Sequence, residues 1–280
     1  MAARMYRIFM GAVLCWAVSV VNLAAADRAA VQEFLKITGF DTALDSIAIG
    51  AEDAPAILGQ EPGTFGIVWQ KMVAEVMDTQ DMRETAVSML EQTLDPVLLD
   101  HAMAFYGSDL GQRLVAAENA AHLEKGEDGK DEAGAALVAA LVRSGEAGQA
   151  RLEYFQRMND AIDSSDMALK AMQEIQIRFL MAAAAHGVIE LRMDEADMRE
   201  LFHRQEPQMR ASLMASALAN AAYTYQAFSD DDLREYTEAL EAADMQSVYE
   251  LMNAVHYEIM ASRFEMLAAR MAGLRPSQVL

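Results

Sequence analysis

Apolar residues recur at intervals of three and four along most of this chain. The clearest stripe is Met245, Val248, Met252, Val255 and Ile259, stepping by 3, 4, 3 and 4. That spacing puts all five side chains on one helical face, as a bundle core requires. No Val/Ile/Thr-rich alternating run persists for six residues, so no segment reads as a strand. The pattern predicts helices near 28–37, 41–50, 63–77, 79–92, 96–106, 109–124, 134–143, 148–186, 194–204, 207–227, 230–241 and 244–272. The expected fold class is all-α, an array or bundle of amphipathic helices with an internal duplication of a helical-hairpin unit.

The breaks have local causes. Asp95-Pro96 fits an N-cap followed by proline at the first helical position, where a missing N–H costs nothing. Ser229 before three aspartates reads as a second N-cap, its acids lying on the positive end of the helix dipole. Residues 126–134, GEDGKDEAG, are charged and glycine-bearing and read as a linker. They divide the chain into a first helical repeat domain over 27–125 and a second part over 135–280, a long helix followed by a second repeat domain.

An internal repeat supports that division. Asn119-Ala-Ala-His122-Leu-Glu124 recurs as Asn253-Ala-Val-His256-Tyr-Glu258, an offset of 134. At the same offset Gln112 meets Gln246, Leu99 meets Leu233, and Asp95 meets Ser229. Both copies read as cap, helix, short break, helix.

Residues 1–26 change the picture. Arg4 and Arg7 precede an apolar run from Ile8, and Ala24-Ala25-Ala26 places small residues before Asp27. These are the three parts of a secretory signal, with cleavage expected after Ala26. A periplasmic or secreted location follows. The rival reading is a retained anchor, since the run approaches the ~20 residues that span a bilayer. Cleavage would remove Cys15, the single cysteine, and leave no means of forming a disulfide. It would also take the net charge from −21 to −23. Such a surface repels phosphate backbones and anionic lipids, which disfavours nucleic-acid binding. No stable membrane span is expected after cleavage.

Phe105-Tyr106-Gly107-Ser108-Asp109-Leu110-Gly111-Gln112-Arg113, between two amphipathic helices, resembles the FY-x-S-x-LGQ signature of the bacterial domain of unknown function 2059 family. The resemblance implies an exported helical protein of a family with no assigned activity. Ala222-Tyr223, Leu233, Tyr236 and Gln246 continue the likeness in the second half, where Ala239-Leu240-Glu241-Ala242 replaces Phe105-Tyr106-Gly107-Ser108. The motif also has a reading of its own as a helix–turn–helix corner. Gly107 is expected to end one helix in a left-handed C-cap, Ser108 to cap the next, and Gly111 to allow close helix approach. Phe105 and Leu110 flank the corner and are expected to pack across it, with Tyr106 a further member of the motif.

The sequence holds no HExxH, GxSxG, phosphate loop or paired CxxC. Asn119 with His122, and Asn253 with His256, are i,i+3 pairs on helical faces and stand as candidate binding positions. One reading makes them hydrogen-bonding registers between helices. A sharper one has His122 and His256 facing each other across a pseudo-symmetric interface to hold a metal or ligand. The first is preferred, and no metal or cofactor is expected. The eighteen methionines outside the signal fall at helical spacing, as flexible core filling or a pliable groove requires. The function read from these features is a non-enzymatic envelope protein that binds a partner protein or an apolar ligand in grooves between helices. The alternatives are an enzyme centred on Ser108 and His122, and a purely structural envelope protein.

Overall fold

The computed structural model describes residues 26–57, 65–124, 127–163 and 166–273. The expected signal, Ala26 apart, and Cys15 lie outside them. The helices are α1 (Arg28–Ile37), α2 (Phe40–Gly50), α3 (Ala54–Ile57), α4 (Gly66–Val76), α5 (Thr79–Thr93), α6 (Pro96–Tyr106), α7 (Asp109–Leu123), α8 (Glu127–Arg143), α9 (Glu146–Ile162), α10 (Met167–Ala185), α11 (Glu195–Thr224), α12 (Asp230–Leu240) and α13 (Ala243–Met271). A 3-10 turn, Ala51–Asp53, joins α2 to α3. The described residues contain no strand.

The longest apolar stripe forms the axis. Met245, Val248, Met252, Val255 and Ile259 are all buried, and Phe264, Leu267, Ala268 and Met271 extend the buried face. α13 packs most extensively on α10 and also meets α4, α5, α6, α9 and α2. One continuous core runs from Ala26 to Met271 and draws on both halves of the chain. α8 and α11 form an outer pair. Arg263 of α13 is buried to 7% exposure. It donates to the Val76 carbonyl at 3.0 Å and to Asp81 at 2.7 Å. One guanidinium thus satisfies a carbonyl at the C-terminal end of α4 and pairs with an acid in the first turn of α5.

Helix starts are fixed by side-chain caps where the sequence offers them. Asp95 accepts from the Val97 N–H at 2.8 Å, with Pro96 opening α6. Ser229 and Asp232 form a reciprocal capping box at the start of α12. Asp232 also accepts from Arg113 of α7 at 2.7 Å. Arg113 and the Ser229 hydroxyl together hold its carboxyl down to about 2. The starts of α6 and α12, their ends, and the starts of α7 and α13 all recur at the 134-residue offset seen in the sequence.

Three expectations are corrected. Residues 127–134 of the expected linker are helical, because α8 begins at Glu127 and runs through them, while Gly126 lies outside the described residues. Its acids favour a helix N-terminus. Gly134 is a packing residue: a Cβ there would stand 2.8 Å from the Ala219 carbonyl carbon of α11. Second, the helix expected over 148–186 is two. Asp163 leaves helical geometry (φ −131°, ψ 46°), and Asp166 takes a left-handed φ of 55°, which aspartate tolerates better than most residues. The Asp163 carboxylate accepts from the Met167 N–H at 2.7 Å and the Ala168 N–H at 3.2 Å, so it caps α10 from outside. Third, 194–204 and 207–227 are one helix, α11, which continues through an exposed Pro207. A proline removes one backbone bond, and here the helix carries on around it.

Candidate functional site

The FY-x-S corner joins α6 to α7. Gly107 has φ −76°, so the expected left-handed cap is absent. Its glycine is needed for room: a Cβ would lie 2.8 Å from the Met103 carbonyl oxygen. The Ser108 hydroxyl accepts from the Gly111 N–H at 3.0 Å and caps α7. A Cβ on Gly111 would come 2.6 Å from the Tyr106 Cα and closer still to the Phe105 carbonyl. The Gln112 amide donates to the Tyr106 carbonyl at 2.5 Å, which closes the turn.

The corner delivers Phe105 and Tyr106 into a polar cluster that no local pattern announces. Glu118 of α7 accepts hydroxyl donations from Tyr225, at the end of α11, at 2.7 Å and from Tyr236 of α12 at 2.8 Å. Tyr249 of α13 hydrogen-bonds Tyr106, and lies 3.4 Å from the Tyr236 hydroxyl. Phe105 stacks on Tyr236 with ring centroids 5.8 Å apart and meets Tyr106 edge-on. Burial raises the Glu118 carboxyl above its ordinary pKa, against the lowering effect of the two tyrosine bonds. It likewise pushes the Tyr106, Tyr225, Tyr236 and Tyr249 hydroxyls upward, Glu118's charge adding to the effect. Four phenols and one carboxylate therefore pin α6, α7, α11, α12 and α13 together. Arg151 holds the turn that presents Tyr225, donating to the Tyr225 and Phe228 carbonyls at 2.9 and 2.8 Å and to Asp230 at 2.6 Å.

The repeated Asn/His pairs part company. Asn119 packs against Gly39, where a Cβ would come within 2.5 Å of its Oδ1. The Asn253 amide donates at 2.8 Å to the carbonyl of Ile162, the last residue of α9. His256 lies against Phe40 and Tyr257, with centroid distances of 6.1 and 5.6 Å. His122, more exposed, lines a cleft of about 260 Å³ with Lys130, Glu124 and Met260. The histidines lie close enough for charge on one to oppose charge on the other: burial first, and His122 second, push His256 down to about 4. Burial and Lys130 lower His122 as well. Among the described residues no three His, Cys, Asp or Glu side chains group as a metal site.

This has a consequence for stability. The folded state disfavours the charged His256 ring, so the unfolded chain takes up that proton first, near pH 6.5. Stability from this residue is complete above that pH and is lost as pH falls toward about 4. Wild type is expected to lose on the order of 2 kcal/mol more than His256→Gln between pH 7 and 4.5, read from urea unfolding at each pH. Parallel losses would show that His256 titrates normally.

A larger groove lies between α10 and α13, at the end where α11 begins. It encloses about 440 Å³, within the range of small-ligand sites. Met167, Ile175, Ala254 and Ala261 supply apolar walls. Lys170, Glu174, Arg178, Arg199 and Glu258 supply a charged rim. Arg178 pairs with Glu258 at 3.0 Å and with Glu265, and Arg199 pairs with Glu174 at 2.9 Å. Gln173 also lines the groove, and its buried Nε2 has no hydrogen-bond partner. The sequence pattern missed this site because its walls come from helices some 80 residues apart.

Residues 80–140 match the family described as an uncharacterized protein conserved in bacteria (DUF2059), the family that the FY-x-S-x-LGQ signature resembles. The match spans α5 into α8, and so contains the corner, Glu118 and His122, and continues across the expected linker. No curated protein and no solved structure matches the chain.

Proposed function

We propose, from the family match and the groove together, that this chain is an exported, non-enzymatic binding protein whose ligand sits between α10 and α13. The carrying observation is the groove itself. It is the larger of the two clefts described, it joins apolar walls to a charged rim, and its rim charges are held in place by ion pairs. Fixed charges around an apolar floor suit recognition, because little side-chain entropy is lost when the ligand arrives.

Export belongs to the same reading and rests on the signal pattern of residues 1–26. Cleavage after Ala26 leaves α1 whole, with Asp27 as its N-cap residue and the Asp27 carbonyl accepting from the Val31 N–H at 2.9 Å. Among the described residues no helix is long and apolar enough to cross a membrane. The enzyme reading centred on Ser108 and His122 has geometry against it. Ser108 caps the first turn of α7 and His122 lies in its last. At 1.5 Å per residue they stand roughly 20 Å apart, and the Ser108 hydroxyl is occupied by the Gly111 N–H.

Ala254 is exposed and lines the groove, so Ala254→Trp fills it without disturbing the core. Protein purified from the periplasmic fraction of an exporting host is expected to begin at Asp27. Envelope extract is expected to raise its Tm by about 5 °C at saturating ligand, and to leave Ala254→Trp unmoved. An equal shift in both proteins, or none in either, would remove the groove from the account.

A further inference from the structure

We propose that the outer face of α8 pairs with the same face of a second copy of this chain, antiparallel, about a twofold axis level with Leu137 and Val138. This goes beyond the binding reading above, since no residue of the α10–α13 groove takes part.

α8 turns one side to the rest of the protein. Gly134 is buried against Ala219 of α11, and Leu137, Val138 and Leu141 on the same side are half-buried. At about 100° per residue, the opposite side carries Glu132, Ala136, Ala139 and Arg143, spaced by 4, 3 and 4. Ala135, Ala140 and Val142 flank that line. All seven are exposed, Val142 to 62%. The face is therefore apolar along its middle, with a carboxylate at one end and a guanidinium at the other. Among the described residues neither Glu132 nor Arg143 has an ion-pair partner within the chain.

The order of these residues is symmetric about the midpoint of the face. Glu132 and Arg143 lie equally far from it, as do Ala136 and Ala139. Turning a second copy end for end sets each Glu132 against the partner's Arg143 and alanine against alanine between them. Such a contact is isologous, and small side chains let two helix axes approach to about 8 Å. A parallel pairing would set carboxylate on carboxylate and guanidinium on guanidinium. α8 has 17 residues and is about 25 Å long. One helix crossing of that length is a small interface, so the dimer is weak, with a Kd on the order of 10–100 μM.

Sedimentation equilibrium of the purified chain tests this at about 0.15 M salt, which screens the long-range repulsion between two acidic molecules. Wild type is expected to pass from monomer toward dimer between about 5 and 200 μM. Glu132→Arg and Arg143→Glu each set like charges against each other at both ends of the pairing. Each is expected to weaken self-association about tenfold or more. Mixed in equal amounts, the two variants restore both ion pairs, so the mixture is expected to dimerise about as tightly as wild type. Both positions are exposed and should leave folding unchanged. Should either variant fold poorly, Ala139→Glu places two like charges at the centre of the contact and is expected to abolish the dimer. Wild type that stays monomeric throughout overturns the proposal. So does a dimer that survives both single reversals, which would put the contact elsewhere, or a mixture that stays monomeric, which would remove the antiparallel register.

Discussion

Gly111→Ala is expected to destabilise the protein by about 3–5 kcal/mol, the range of a backbone clash at a fixed corner. The added methyl would meet the Phe105 carbonyl and stand 2.6 Å from the Tyr106 Cα, both parts of the α6 backbone rather than flexible side-chain ends. Relief requires α6 and α7 to separate. Separation withdraws Phe105 from Tyr236 and Tyr106 from Tyr249, so the damage spreads to α12 and α13. Gly107→Ala, in contrast, meets one carbonyl at 2.8 Å and no left-handed requirement, and should cost less. Chemical denaturation of both variants decides the point. A Gly111→Ala protein within 1 kcal/mol of wild type would show that the corner relaxes without cost.

The second large effect is expected at Glu118. Glu118→Ala leaves the Tyr225 and Tyr236 hydroxyls without their acceptor inside the cluster, and a loss of about 2–4 kcal/mol follows. Glu118→Gln keeps an oxygen where both hydroxyls donate, so it should cost less than about 1 kcal/mol at neutral pH. The pH dependence separates charge from hydrogen bonding. Burial raises the carboxyl's pKa in the folded state, so the folded chain holds that proton more readily than the unfolded one. The penalty of holding the charge is therefore present at neutral pH and is relieved as pH falls through that raised pKa. Wild type should gain on Glu118→Gln as the pH drops from 7 toward 5. A difference that stays flat, or runs the other way, would mean that the tyrosine bonds outweigh burial.

What the sequence showed depends on how local each cause is. The stripe from Met245 to Ile259 and the caps at Asp95 and Ser229 are set by spacings of a few residues, and the helices they mark are present. The segment 126–134 misled because glycine and charge are read as loop, whereas Gly134 serves a helix contact with Ala219 that lies 85 positions on. Pro207 misled in the opposite direction, since a helix that is already long carries on around one missing bond. The break after Ile162 combines a local cap, the Asp163 carboxylate on the Met167 and Ala168 N–H groups, with a distant contact, the Asn253 amide on the Ile162 carbonyl, and only the first lies within a window around residue 163. The Asn/His pairs were legible as a repeat, but not their different partners, because Gly39 and Ile162 come from unlike elements. The Glu118 cluster was invisible. Tyr106 and Tyr249 are 143 positions apart, and only the closing of α6 and α7 against α12 and α13 brings the phenols together.

These pieces divide the labour of the molecule. The corner and the Glu118 cluster fix α6, α7, α12 and α13 to one another, and α13, held at its far end by Arg263, forms one wall of the groove. A rigid wall on one side and the shorter α10 on the other give a groove whose width is set by the core rather than by a loop.

A crystal structure of the exported protein with its envelope-derived ligand retained would show where that ligand sits. Continuous ligand density is expected between Met167 and Ile175 on one side and Ala254 and Ala261 on the other. Ligand density in the cleft at His122 with the α10–α13 groove closed would contradict it.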